Sequence, residues 1–138
     1  MTNLQEVSDV RNETIEAFHL MWDSFPYPVT LLRKCRDIIA INKQAQEMGR
    51  PTNGRCYQVS GGDEIHAGCK ANQAVEEGIA QRTVRYNKDA NQIMDAYWLP
   101  VSEDNDLYLH FAVKVDLDQF PIDHTNVQVS LTRTGASK

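Results

Sequence analysis

The sequence predicts an α+β fold, a five-stranded antiparallel sheet with helices on one face and an N-terminal cap helix, and three observations predict it. Ile15, Phe18, Trp22 and Phe25 recur at alternating spacings of three and four, the pattern of a helix with one apolar stripe. Leu107, Leu109, Phe111, Val113 and Val115 alternate with Tyr108, His110, Ala112 and Lys114, which marks a strand with one buried face. Between them Pro51, Asn53, Gly54, Gly61 and Gly62 break the chain into short pieces.

The elements follow in order. Thr2 and Gln5 are spaced as a capping box, so a helix is expected over residues 3–24, stopped by Pro26 and Pro28, which remove backbone donors and restrict the residues before them. Residues 28–32 and 37–42 are short β-rich runs separated by Arg33, Lys34, Cys35 and Arg36, which reads as a hairpin. Good helix formers fill 43–48, with Gly49 placed as the left-handed residue after the last turn. One short helical turn fits around 56–59. A longer helix is expected over 69–79, with Ala71, Ala74, Val75 and Ile79 on its apolar side. Strands follow at 83–86, 92–101 and 107–115, and residues 127–131 are a candidate further strand.

The 138 residues suit one domain, and 41% hydrophobic with 24% charged residues is the composition of a packed globular protein. A net charge of −5, a pI near 5.3 and no clustered Lys and Arg give no footprint for a phosphate backbone, so nucleic acid is not an expected partner. No basic start with an apolar h-region and no apolar run of about 18 residues occurs, so neither a membrane nor export is expected and the location read is cytoplasmic. Cys35, Cys56 and Cys69, an odd count without an export signal, read as thiols or metal ligands rather than a disulfide framework.

The order of elements resembles the PAS domain family. The residues that carry the resemblance are Pro28 to Leu32, then Ile38 to Ala45, then Gly54-Arg55-Cys56-Tyr57, and finally Tyr97 to Val101 with its closing strand to about Leu117. Asn42, opening the helix after the second strand, matches a common family position and is suited to cap that helix. The resemblance implies a dimerisation helix over 1–25, a PAS core over 26–117 and an extension over 118–138. It further implies a pocket for a small ligand or cofactor, and relay to a downstream effector, as in a two-component system. The alternative is a PAS-like interaction module without a ligand. No motif fixes a cofactor.

Catalysis is not expected. Gly61-Gly62-Asp63-Glu64-Ile65 resembles the signature turn of diguanylate cyclases but stands in a Gly-rich connection without the surrounding catalytic domain. Cys56 invites comparison with the flavin-binding light-oxygen-voltage subfamily, but Arg55 replaces its Asn and the late strands lack its Asn pair. Ser60 near His66 sits in no nucleophile elbow, and His19 and His110 read as surface or edge residues. Three sites remain as expectations. Ile15, Phe18, Met21, Trp22 and Phe25 form a seam for a homodimer. Tyr57, Leu109, Phe111 and Val113 line an apolar pocket facing the long helix. Cys56, His66 and Cys69 converge as a metal or redox site, with the helix start favouring the Cys69 thiolate.

Overall fold

The computed structural model of the chain describes residues 10–59, 62, 64–101 and 106–119. Helix α1 (Asn12–Trp22) precedes a hairpin of β1 (Val29–Arg33) and β2 (Ile38–Ile41). Short helices α2 (Lys43–Glu47) and α3 (Cys56–Val59) and the longer α4 (Ala71–Glu77) fill the middle. Strands β3 (Gln81–Asn87), β4 (Gln92–Pro100) and β5 (Leu107–Asp116) close the chain, and a single 3-10 turn (Leu117–Gln119) follows. The five strands form one antiparallel sheet in the order β2-β1-β5-β4-β3. This is the expected α+β, PAS-like fold. The capping box at Thr2 and Gln5 and the candidate strand at 127–131 lie outside the described residues.

Asn42 ties the N-terminal half together. It is fully buried, and its Oδ1 accepts from Val29 N at 2.9 Å and from Ala45 N at 3.1 Å, capping α2 as the sequence suggested. Its Nδ2 donates to Trp22 O at 2.9 Å and to Tyr27 O at 3.0 Å. One amide therefore satisfies the last turn of α1, the Pro-rich connector, the start of β1 and the start of α2. Asp23 Oδ1 adds a bond from Lys43 N at 3.1 Å.

Strand β5 runs between β1 and β4, and both of its faces are covered along its first half. Leu107 and Tyr108 are each 1% exposed although they point to opposite sides. On one side Phe18, Val29, Leu31, Ala40 and Leu107 form a core on which Ile15, Trp22 and Phe25 of the α1 segment pack. Phe111 of β5 completes it with ring contacts to Trp22, Phe25 and Tyr97 at 5.2–5.5 Å. On the other side Leu32, Ile38, Ile41, Trp98 and Tyr108 meet Ala45 of α2 and Ala71, Ala74 and Val75 of α4. The expectation of one buried face on β5 is thus corrected along its first half, where α1 covers one side and α4 the other; farther on, Lys114 is exposed.

Two further differences have local causes. Helix α4 ends at Glu77 and not at 79, because Gly78 adopts a left-handed φ of 67° and its N–H returns to Ala74 O. In the β1–β2 turn Arg36 takes a φ of 81° and turns inward, only 1% exposed. Its Nη1 donates to Lys34 O and, at 3.0 Å, to Asn72 Oδ1 on α4, and its guanidinium lies over the Tyr108 ring at 5.9 Å. A buried cation is costly to desolvate, and these contacts offset the cost while fastening α4 to the hairpin.

Replacing Asn42 with Ala leaves several buried backbone groups without partners and is expected to cost about 3 kcal/mol. Asn42→Asp keeps the cap acceptor but turns a carboxylate oxygen toward the carbonyls of Trp22 and Tyr27. It should therefore destabilise too, although Asp is normally a good capping residue. Urea midpoints of the two variants check this; wild-type stability for the Asp variant would contradict the double-ended role.

Candidate functional site

The helices on the α4 side are short and separated by breakers, so they cover the sheet incompletely. A cavity of about 320 Å³ opens between Thr30, Leu32 and His110 on the sheet and Cys56, Tyr57, Arg50 and His66 opposite. A second, of about 160 Å³, runs on between His66, Gly68 and Arg85 and the wall formed by Met94, Ala96 and Trp98. A third, of about 450 Å³, lies toward Tyr27, Gln44, Arg50 and Lys114. His110 borders all three, and His66 and Arg50 border two each.

His110 is held rigidly. Its ring stacks on Trp98 at a centroid distance of 4.7 Å and an interplanar angle of 15°. Its Nδ1 lies 2.8 Å from Tyr97 O, and because a carbonyl only accepts, Nδ1 carries the proton and Nε2 is left as the acceptor of the neutral ring. Burial pushes its pKa down; the Tyr97 bond opposes this, and the neighbouring His66 and Arg50 add to the lowering.

Behind the cavity lies a second cluster. Cys56 and Cys69 are free, partly buried thiols packed against the core that contains Tyr108. Burial raises the Cys56 thiol, the neighbouring Cys69 adds to this, and the Arg36 guanidinium works against it. Burial likewise raises the Tyr108 phenol. Burial thus favours the protonated thiol at Cys56, which weakens it as a nucleophile.

Among the described residues no three His, Cys, Asp or Glu side chains form a set able to hold a metal ion, so the convergence of Cys56, His66 and Cys69 on one centre is not formed. Cys56 and His66 border the same cavity, but His66 is exposed, while Cys69 packs into the core before the start of α4.

Tyr57 does line the cavity. Leu109, Phe111 and Val113 do not face α4, which corrects the expected location, while Phe111 borders the third cavity and Leu109 a further one of about 370 Å³ beside α1. Register places Leu109 opposite Leu31 and Phe111 opposite Val29 and Tyr97, on the α1 side, so it is His110 and Ala112 that look toward the helices. The seam on α1 is also largely consumed within the chain. Phe18 is buried, Ile15, Trp22 and Phe25 pack on the sheet, and only Met21 remains exposed, beside Leu20 at 87%. Ser60, Gly61 and Asp63 lie outside the described residues.

His110, Arg50 and Arg85 were missed by reading the sequence. A usable signal was present, since Ala71, Ala74, Ala96 and Ala112 are small residues on facing surfaces, and small residues across a layer leave room.

The chain is therefore an α+β domain of PAS-like fold with a cleft of largely apolar walls on the helix-covered side of its sheet. Among the described residues no helix is long and apolar enough to cross a membrane. No protein-family model matches the sequence, and no curated protein matches it. A solved structure, the PAS domain of an HTR-like protein from Haloarcula marismortui, is similar at 15% identity and a TM-score of 0.38, over 75% of this chain and 98% of that one. At that score the likeness adds nothing to the fold read from the sheet itself.

The folded pKa of His110 lies below its unfolded value, so in the interval between them the unfolded chain binds the extra proton and the folded chain does not. Stability is thus expected to fall as the pH drops through about 6.5. Denaturant midpoints at about pH 7.5 and 5.5 should show this slope in the wild type and a flatter one in His110→Gln. Equal slopes would show that His110 is charged in the folded state.

Proposed function

We propose that this domain is a sensory module that binds a small ligand or cofactor in the cleft around His110 and relays its state to an effector, without catalysing a reaction. The cleft carries this reading. Its walls are apolar, from Leu32, Ile38 and Ile41 to Trp98, and a few fixed polar groups, Thr30, Tyr57, His66 and His110, converge on it. The relay we propose runs through Cys56, which lines the cleft and packs against the core that holds Ala71 and Ala74. Helix α4, which packs on β4 beside it, is tied through Asn72 and Arg36 to the β1–β2 turn, so a ligand that shifts α4 also moves the far edge of the sheet. The effector is a downstream domain or protein.

Native mass spectrometry beside an absorbance scan tests the reading. The expected result is a mass above that of the chain which disappears on denaturation, and its loss in Thr30→Phe, a substitution that fills the cleft. A bare native mass, together with no response of cleft amides to a small-molecule fragment library of mixed charge in NMR spectra, would overturn it.

Self-association belongs to the same proposal. Leu20 and Met21 lie side by side on α1, 87% and 67% exposed, whereas the rest of the apolar stripe is used by the sheet. We place the homodimer contact on these two residues. Deleting α1 would uncover Phe111 and leave Asn42 short of an acceptor, so point substitutions are the sound test. The double variant Leu20→Glu, Met21→Glu should sediment as a monomer with an unchanged circular dichroism spectrum, and a monomeric wild type would end this part of the proposal.

A further inference from the structure

We propose that the cleft selects a small organic dianion of the dicarboxylate class, held at its two ends by Arg50 and Arg85. The inference rests on the reading of the cleft as a ligand site and adds the chemistry of the ligand.

The sign of the lining is the first observation. The chain has 19 acidic residues against 14 basic ones, yet the three neighbouring cavities are bordered by the cations Arg50, Arg85 and Lys114 and, among the described residues, by no Asp or Glu. The second is that other cations have carboxylates of their own. Arg33 pairs with Asp106 at 2.7 Å, Lys34 with Glu76 at 2.6 Å, Arg55 with Asp37 at 3.5 Å and Arg82 with Asp95 at 2.7 Å. Asp95 sits on the opposite face of the sheet from the cleft, as its neighbour Tyr97 does, so it does not serve Arg85. Among the described residues neither Arg50 nor Arg85 has a side-chain hydrogen bond or ion pair.

The third observation is a seat for Arg85. A Cβ at Gly68 would stand 2.5 Å from Arg85 Nη2, so the guanidinium end of this exposed side chain rests against Gly68, beside His66. Arg50 borders the larger cavity and Arg85 the adjoining one, and His66 and His110 border both. A ligand lying across the two thus meets one guanidinium at each end, and a guanidinium fork matches a carboxylate with two parallel hydrogen bonds. The wall between them is apolar, formed by Leu32, Ile38, Ile41, Ala96 and Trp98, and this favours a carbon chain between the two acids over a compact inorganic anion.

The test is calorimetric titration of the full chain with the straight-chain dicarboxylates from succinate to suberate, their diamides and inorganic phosphate, at one ionic strength. At least one diacid should bind while its diamide does not, and Arg50→Gln and Arg85→Gln should each weaken that binding about tenfold or more, the usual weight of a charge-assisted bond. Gly68→Ala should weaken it as well, by displacing Arg85 without removing its charge. Both arginines are exposed, so their variants are expected to keep the wild-type circular dichroism spectrum. Absence of binding by every diacid, unchanged affinity in both arginine variants, or phosphate binding as tightly as the best diacid would overturn the inference. Diamides binding as well as diacids would overturn it too, while leaving the cleft as a site for neutral small molecules and the sensory reading intact.

Discussion

The fold depends on Asn42 being able to donate and accept at the same time. Its amide is the one side chain that meets α1, the connector, β1 and α2 together, and all of those groups are backbone. Backbone polar groups buried without partners cost more than most side-chain contacts return, so four elements can meet at a dry junction only if something satisfies their ends. The apolar packing of α1 on the sheet has the same origin. Trp22 and Phe25 reach Phe111 because the chain between them and β1 is fixed at Tyr27.

The cleft is the complementary consequence of short helices. On the α1 side one helix of three turns covers the centre of the sheet. On the other side α2, α3 and α4 are brief, ended by Gly49, by the Gly-rich connection and by Gly78, and no one of them spans β1 to β4. What they leave uncovered is filled by polar side chains from the connectors. The site is thus lined by residues whose positions follow from loops, on a floor whose positions follow from strands, an arrangement common to binding sites.

Much of the fold was legible in the sequence because its signals are local. Alternation in β5, the Pro26 and Pro28 stop, the hairpin around Arg33 to Arg36 and the cap at Asn42 each depend on a few neighbouring residues, and each appears in the structure. The site was legible in part. Tyr57 was found, but Leu109, Phe111 and Val113 were given to the wrong layer, because alternation says that two faces differ without saying which element covers each. The same limit holds for the α1 stripe, most of which packs on the chain's own sheet. Apolar spacing predicts burial and is silent about whether the partner is the same chain. His110 was passed over because polarity in a strand usually means solvent, whereas here neighbouring strands and the Trp98 ring leave it half-buried.

The double cover over the first half of β5 bears on how the sheet finds its pairing. In a strand with one wet face, slipping by a single residue drives apolar groups into water and is punished at once. Strand β5 carries Leu107 and Tyr108, Leu109 and His110, Phe111 and Ala112 in succession, so a slipped strand would still be largely covered. Correct alignment then falls to shape, through the stacked Tyr97–Phe111 and Trp98–His110 pairs on the two faces and the Leu117 N–H that bonds Asn91 O beyond the turn. The ring at the centre of the cleft is therefore also one of the contacts that hold β4 and β5 in register, independently of anything the cleft holds.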